Sequence, residues 1–184
     1  VLHAGCPGAP GGMGDGQGTA GMTSMGGWGG GVLYVLAQTS IVLTDGTIIN
    51  ASGAAGLAGN HRTGGGGGGS GGMIVLTAPQ ITAGVSTFVM ANGGGGAAGG
   101  TNSNDGKNGM DPTNGNPSTP APGGIQATLA SGGNGYAYNS VAIDATVGAM
   151  GTSGDGGGGG GGGAGLFMAS MSLGATAGVS PPPQ

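Results

Sequence analysis

Oxygen-bearing side chains crowd one stretch of the chain. Asn102, Asn104, Asp105, Asn108 and Asp111 lie close together, with Lys107 among them. Hard cations take clustered carboxylate and amide oxygens, which makes Ca2+ the minor alternative here; the expectation is no metal and no cofactor. The spacing fits neither an EF-hand nor a glycine-rich nonapeptide calcium loop. The competing reading is turn chemistry, because Asn, Asp and Gly hydrogen-bond their own backbone. A second candidate is GGNGYAYNS, where Tyr136 and Tyr138 sit beside Gly, Asn and Ser. That is the composition of adaptable recognition loops, with local packing as the alternative. Asn102, Asn104, Asp105, Lys107, Asn108, Tyr136 and Tyr138 are therefore the candidate recognition residues.

Catalytic chemistry finds little to work with. The chain has no Glu, and Asp15, Asp45, Asp105 and Asp155 each precede Gly, a turn signature. His3 and His61 stand apart, so no acid–base pair is visible. His3 with Cys6 supplies two candidate metal ligands, short of a site. A single cysteine cannot form an internal disulfide. No Lys follows a glycine run in the way a phosphate loop needs. The expectation is a protein that is not an enzyme.

The elements that carry these residues are unusual. Glycine and proline make up 64 of 184 residues, about 35%, above the roughly 25–30% at which an aperiodic chain is presumed disordered. Two features oppose disorder. Charged residues are only 4%, whereas disordered chains usually carry high net charge. The apolar residues also cluster into strand-like runs: VLYVLA, IVL, MIVLTA, TFVMA and LFMA. With a net charge of −4 and two strong bases, Arg62 and Lys107, the chain lacks the basic footprint of a nucleic-acid binder. No apolar run approaches the length of a membrane-spanning helix, so no membrane insertion is expected. The start at Val1 suggests processing or a fragment of something longer.

The runs repeat. Met73–Ala78 matches Val32–Ala37 at an offset of 41, and Thr87–Ala91 matches Thr47–Ala51 at an offset of 40. Asp45-Gly46 marks a turn between strands. Weaker copies begin at Ile125–Ala130, with Val141–Ala145 as a second strand, and at Leu166–Ala169, where Leu173 matches Ile41. This predicts a glycine-rich N-terminal segment, 1–27, and a repetitive body, 28–178. Its repeats fall near 28–63, 64–100, 123–155 and 156–178. A surface insert spans 101–122, and a proline-rich tail, 179–184, cannot continue a sheet.

Glycine runs cannot be helix, since each glycine costs about 0.8–1 kcal/mol relative to Ala. They can be extended threefold strands rising about 3.1 Å per residue. The expected fold is all-β: a repetitive β-solenoid or layered β-sheet body with polyglycine-II strands, in about four degenerate repeats. β-Hairpins joined by flexible glycine linkers are the alternative. Strands such as VLYVLA are apolar on both faces, which predicts burial on both sides or cover by another chain. A homo-oligomer, or a place inside a larger particle, is the expected assembly.

At Gly64–Ala78 and Gly156–Ala169 a polyglycine run passes through Ser or Ala and Gly into a short apolar strand. This motif resembles glycine-rich bacteriophage virion proteins, particularly tail-fibre proteins and the tip adhesins of T-even-like phages. The resemblance spans most of residues 28–178. It implies polyglycine-II layers and distal loops that bind bacterial surface proteins or glycans, in a virion or extracellular setting. A self-assembling extracellular filament or surface-matrix subunit is the second reading. An ice-binding protein is the third, weakened by the lack of regular Thr rows.

Overall fold

The computed structural model describes residues 1–13, 24–126, 130–139, 141–143, 146–150, 156–173 and 178–184. Among them there is no helix; every regular element is a strand. The aliphatic and β-branched runs form β1 (Val32–Leu36), β2 (Ser40–Leu43), β3 (Ile48–Asn50), β4 (Met73–Thr77), β5 (Gln80–Ala83) and β6 (Phe88–Met90). Later come β7 (Ala137–Asn139), β8 (Val141–Ile143), β9 (Leu166–Ala169) and β10 (Gly178–Ser180). The fold is all-β, as composition and patterning predict.

Most pairing is parallel. One sheet has the order β1-β4-β9, a second has β10-β6-β3, and β2 pairs with β5. Val32 lies opposite Met73, Ile41 opposite Ile81, and Ile49 opposite Val89. These are the same pairs that the 41- and 40-residue offsets align. Between β2 and β3 the chain turns at Asp45-Gly46, with Gly46 at φ 75°. The neighbouring turn stacks against it: Val85 N–H donates to Asp45 Oδ1 at 2.9 Å, and Gly46 N–H donates to the Val85 carbonyl at 3.1 Å.

The sheets enclose one apolar core built from Ile41, Ile74, Leu76, Ile81, Val89, Phe167 and Leu173. Central β4 buries side chains on both faces, the environment its two-sided apolar run predicts. Its edge neighbour β1 does not. Val32, Leu33, Tyr34 and Leu36 remain exposed, as do Val42 of β2 and Ile48 of β3.

The expected third repeat is corrected. Ile125 and Gln126 are not in a strand, and Ile125 is exposed; residues 127–129 lie outside the described residues. β4 pairs directly with β9 instead, placing Leu76 opposite Ala169. The 141–145 segment is not a further parallel rung. β8 folds back antiparallel on β7, and Asp144 and Ala145 lie outside the described residues, as do Asp15 and Asp155.

The remaining chain forms a glycine-rich layer held by backbone hydrogen bonds with a three-residue period. Segment 93–100 shows the pattern. Gly93, Gly96 and Gly99 donate to the carbonyls of Tyr136, Gly133 and Ala130. Gly94, Ala97 and Gly100 donate to Gly69, Gly66 and Thr63, and Gly95, Ala98 and Thr101 to Met110, Lys107 and Asn104. Its carbonyls accept from Gly56 and Gly59 in one neighbour, where Gly53 bonds the preceding Asn92 carbonyl, from Gly156, Gly159 and Gly162 in another, and from Gly124. Residues 91–100 are all buried. Each such bond contributes on the order of 1 kcal/mol net. That is comparable with the additional 0.5–1 kcal/mol or so that ordering a glycine costs. Nearly every backbone group must therefore be paired for such a layer to stand.

Close approach dictates where glycine is required. A Cβ on Gly96 would collide with the Gly159 carbonyl. Outer segments need glycine only on the inward side, and their sequences say so: Gly5-Cys-Pro-Gly8-Ala-Pro-Gly11 and Gly53-Ala-Ala-Gly56-Leu-Ala-Gly59. The N-terminal segment, which shows no helix or strand period, carries this threefold one. Gly5, Gly8 and Gly11 bond Gly30, Gly27 and Ser24, so segments 5–11 and 24–30 join the same layer.

Candidate functional site

The layer has two ends. At one, its segments run into the sheets: Met73 N–H donates to Gly31, Leu166 N–H to Gly72, and Ala51 N–H to Met90. At the other, the chain reverses. Antiparallel bonds pair Gly11 with Ser24, Gly66 with Leu57, Ala98 with Lys107, Gly132 with Gly124 and Gly158 with Ala149. Cross-links between these hairpins bring Gly12, Thr63, Gly100, Ala130 and Gly156 to one end: Gly64 bonds Gly12, Gly100 bonds Thr63, Gly99 bonds Ala130, and Gly156 bonds Gly100. The reversals at 60–63 and 101–104 are wholly described.

Both tight turns are closed by their own polar side chains, as Asn- and Thr-rich turns are. Thr63 donates through N–H (2.8 Å) and Oγ1 (2.5 Å) to the Asn60 carbonyl. Thr101 N–H donates to the Asn104 carbonyl at 2.7 Å, and Asn104 N–H returns to Thr101 Oγ1 at 3.1 Å. Arg62 takes a left-handed backbone, φ 62°, and its N–H bonds the Thr101 carbonyl at 3.2 Å. His61 Nδ1 lies 3.2 Å from Asp105 Oδ1, and His61 N–H also approaches that oxygen at 3.3 Å. Gln126 Nε2 donates to the Asp105 carbonyl at 3.0 Å. His61 and Asp105 are both more than half exposed, 61% and 56%, so their pairing contributes at most about 1 kcal/mol. The result is a solvent-facing group of Asn60, His61, Arg62, Asn102, Asn104, Asp105 and Lys107. It holds both strong bases of the chain and one carboxylate.

The oxygen-bearing side chains of the 105–111 stretch are spread along one extended segment. Asp105, Asn108 and Asp111 do not converge. Their Oδ1 atoms accept backbone N–H groups of His61, Ala58 and Ala55 at 3.3, 2.7 and 2.7 Å, a ladder three residues apart on both segments. At about 3.1 Å per extended residue, Asp105 and Asp111 lie roughly 19 Å apart. Among the described residues no group of three or more His, Cys, Asp or Glu could hold a metal ion. The 101–122 insert is at the surface, yet 104–110 is an integral strand: Gly106 and Gly109 donate to Gly59 and Gly56.

The structure separates the two sets of candidates. Asn102, Asn104, Asp105, Lys107 and Asn108 lie at or near the turn end, with exposed side chains. Tyr136 is at the sheet end and buried, its N–H on the Gly162 carbonyl at 3.0 Å. Tyr138 is half-buried within β7. The glycines around them are packing positions, not loop positions. Sequence reasoning passed over His61 and Arg62, because nothing local signals that Asp105, 44 residues on, lies beside His61. Cys6 is exposed and free, on the outer N-terminal segment.

No protein-family model, curated protein or solved structure matches the chain.

Proposed function

We propose that this chain is a non-enzymatic structural protein of a phage particle, a tail-fibre or surface-fibre component with host-surface recognition at the turn end. In this reading the glycine-rich layer is a polyglycine-II bundle. The sheets beside it are a short β-solenoid of repeats of about 40 residues. The bundle is a stiff support, and its reversals are the variable part. The carrying observation is the convergence of the 60–63 and 101–104 reversals, with His61, Arg62, Asp105 and Lys107 grouped there. Exposed Asn, Lys and His groups, with half-buried Arg62 beside them, supply hydrogen bonds and charge suited to a bacterial surface protein or glycan. The setting is a virion or the extracellular space.

The test is adsorption of the fluorescently labelled full chain to a panel of bacterial strains. Arg62→Ala with Lys107→Ala should lower adsorption at least tenfold, and Tyr138→Ala should leave it unchanged. Equal adsorption by all three would remove the turn end from recognition.

A second reading has its own observation. Strands β1, β2 and β3 form open parallel edges that expose Val32, Leu36, Val42 and Ile48. Such edges invite pairing with another chain. Head-to-tail stacking of copies through them would be heterologous and non-closing, which generates a filament.

A further inference from the structure

Segment 64–72 lacks one neighbour. Gly64, Gly67 and Ser70 donate to the 6–12 segment, Gly65, Gly68 and Gly71 to 157–163, and Gly66, Gly69 and Gly72 to 51–57. Carbonyls of Gly67 and Ser70 accept from 27 and 30, and those of Thr63, Gly66 and Gly69 from 94–100. That makes five neighbours. The carbonyls of Gly65, Gly68 and Gly71 have no partner among the described residues, although all three residues are buried. In a threefold strand the carbonyl of one residue points opposite to the N–H of the next. These three therefore point away from 51–57, between the 6–12 and 157–163 segments.

That position is an open groove of about 580 Å³, lined by Pro10, Gly12, Gly64, Gly67, Gly157 and Gly160 among others. Its walls also carry unpaired groups in the same register. The N–H groups of Gly157, Gly160 and Gly163 on one wall, and of Ala9 and Gly12 on the other, have no partner among the described residues. Gly157, Gly160 and Gly163 are exposed. The groove thus offers donors, acceptors and donors on three adjacent sides. An extended threefold strand presents carbonyls, N–H groups and carbonyls in that order. Unpaired backbone groups of this kind call for a partner.

Side-chain space agrees. A Cβ on most inner glycines would overlap a neighbouring carbonyl, but on Gly67 its nearest neighbours would be Ala9 N at 3.3 Å, Gly160 O at 3.5 Å and Ala9 O at 3.6 Å. The fold leaves that space unused.

We propose that the groove is a binding site for an extended polyproline-II strand of a separate polypeptide, with glycine at every third position. The chemistry is read from this chain's own outer strands. In Gly5-Cys-Pro-Gly8-Ala-Pro-Gly11 each of the three glycines donates inward, and Pro7 and Pro10 fall where an N–H would point away. A ligand of the same pattern would fill the sixth position around 64–72. The groove borders the turn end and shares Arg62 with it, whereas Ala9 and Gly67 lie outside the recognition group, so variants at those two positions separate the two proposals.

The probe is an acetylated, fluorescein-labelled (Gly-Ala-Pro)4 peptide, titrated against the full chain by anisotropy. Saturable binding is expected, with slowed amide exchange at Gly157, Gly160 and Gly163. Replacing each peptide glycine with N-methylglycine removes the inward donors and should weaken binding at least tenfold. Gly67→Val, which blocks the floor, should do the same with an unchanged circular dichroism spectrum. Should Gly67→Val fail to fold, Ala9→Pro removes one groove donor without removing a described layer bond and should still weaken binding. No saturation at millimolar peptide, or equal affinity for the N-methylated peptide, would overturn the proposal. So would self-association of the chain that the peptide competes away, since the groove would then belong to a second copy.

Discussion

Asn92 accepts a hydrogen bond from the Ser180 hydroxyl at 2.5 Å, joining the start of the central glycine segment to the last strand, 88 residues away. Both side chains are fully buried. Asn92 Nδ2 also donates to the Pro117 carbonyl at 2.8 Å, and Asn92 N–H to Ser52 Oγ at 3.0 Å. One amide thus ties the layer, the 101–122 segment and the sheet β10-β6-β3 together.

Removing one partner of a buried hydrogen bond leaves the other unsatisfied, at about 1–3 kcal/mol. Asn92→Ala and Ser180→Ala should each lower unfolding stability by an amount in that range, measured by denaturant titration. The double variant should lose less than the sum, because the two share the bond. Strict additivity would show that they act separately.

Glycine is required at Gly96 and merely present at Gly12. A Cβ on Gly96 would strike the Gly159 carbonyl, while one on Gly12 meets nothing within 4 Å. Gly96→Ala should destabilise by at least about 1–3 kcal/mol, the cost of overpacking. Gly12→Ala should stabilise by about 0.4–1 kcal/mol through the unfolded chain. Thermal midpoints moving in the same direction would contradict the layer geometry.

The ladder of Asp105, Asn108 and Asp111 holds the 104–111 segment against 55–61 without a cation. Addition of CaCl2 or of EDTA should leave the thermal midpoint unchanged. Asn108→Ala should lower stability by about 1 kcal/mol, the net value of one hydrogen bond. A calcium-dependent rise in the midpoint would restore the metal reading.

The open edge makes the filament reading testable on its own. Leu36→Lys with Val42→Lys places charge on the exposed β1 and β2 edges, a device that blocks edge pairing. If copies stack through this edge, light scattering should show large assemblies for the native chain and monomers for the variant. A native chain that stays monomeric at high concentration leaves the edge without that role.

Much of the sheet region was legible in the sequence. Val32 against Met73 and Ile49 against Val89 follow from matching apolar runs, because parallel stacking places like beside like. The Asp45-Gly46 turn was legible for the same local reason. The expected third repeat was misread at Ile125 and Gln126, which resemble a strand only in composition, and nothing local reveals that β4 pairs with β9. Tyr136 was misplaced because glycine beside tyrosine signals a loop in ordinary proteins, whereas here glycine marks close packing. The Gly-x-x-Gly pattern of 5–11 and 53–59 was a readable signal of outer layer strands. His61 beside Asp105 was not readable, since it depends on the register between two hairpins.

The most direct test of the account is amide hydrogen exchange on the isolated chain. The function proposed rests on glycine segments that form a rigid layer instead of flexible linkers. Amides of 93–100, each bonded to a neighbour and buried, should exchange as slowly as those of β4 and β6, because they open only with global unfolding. Exchange of 93–100 at unprotected rates, with β4 and β6 still protected, would contradict it.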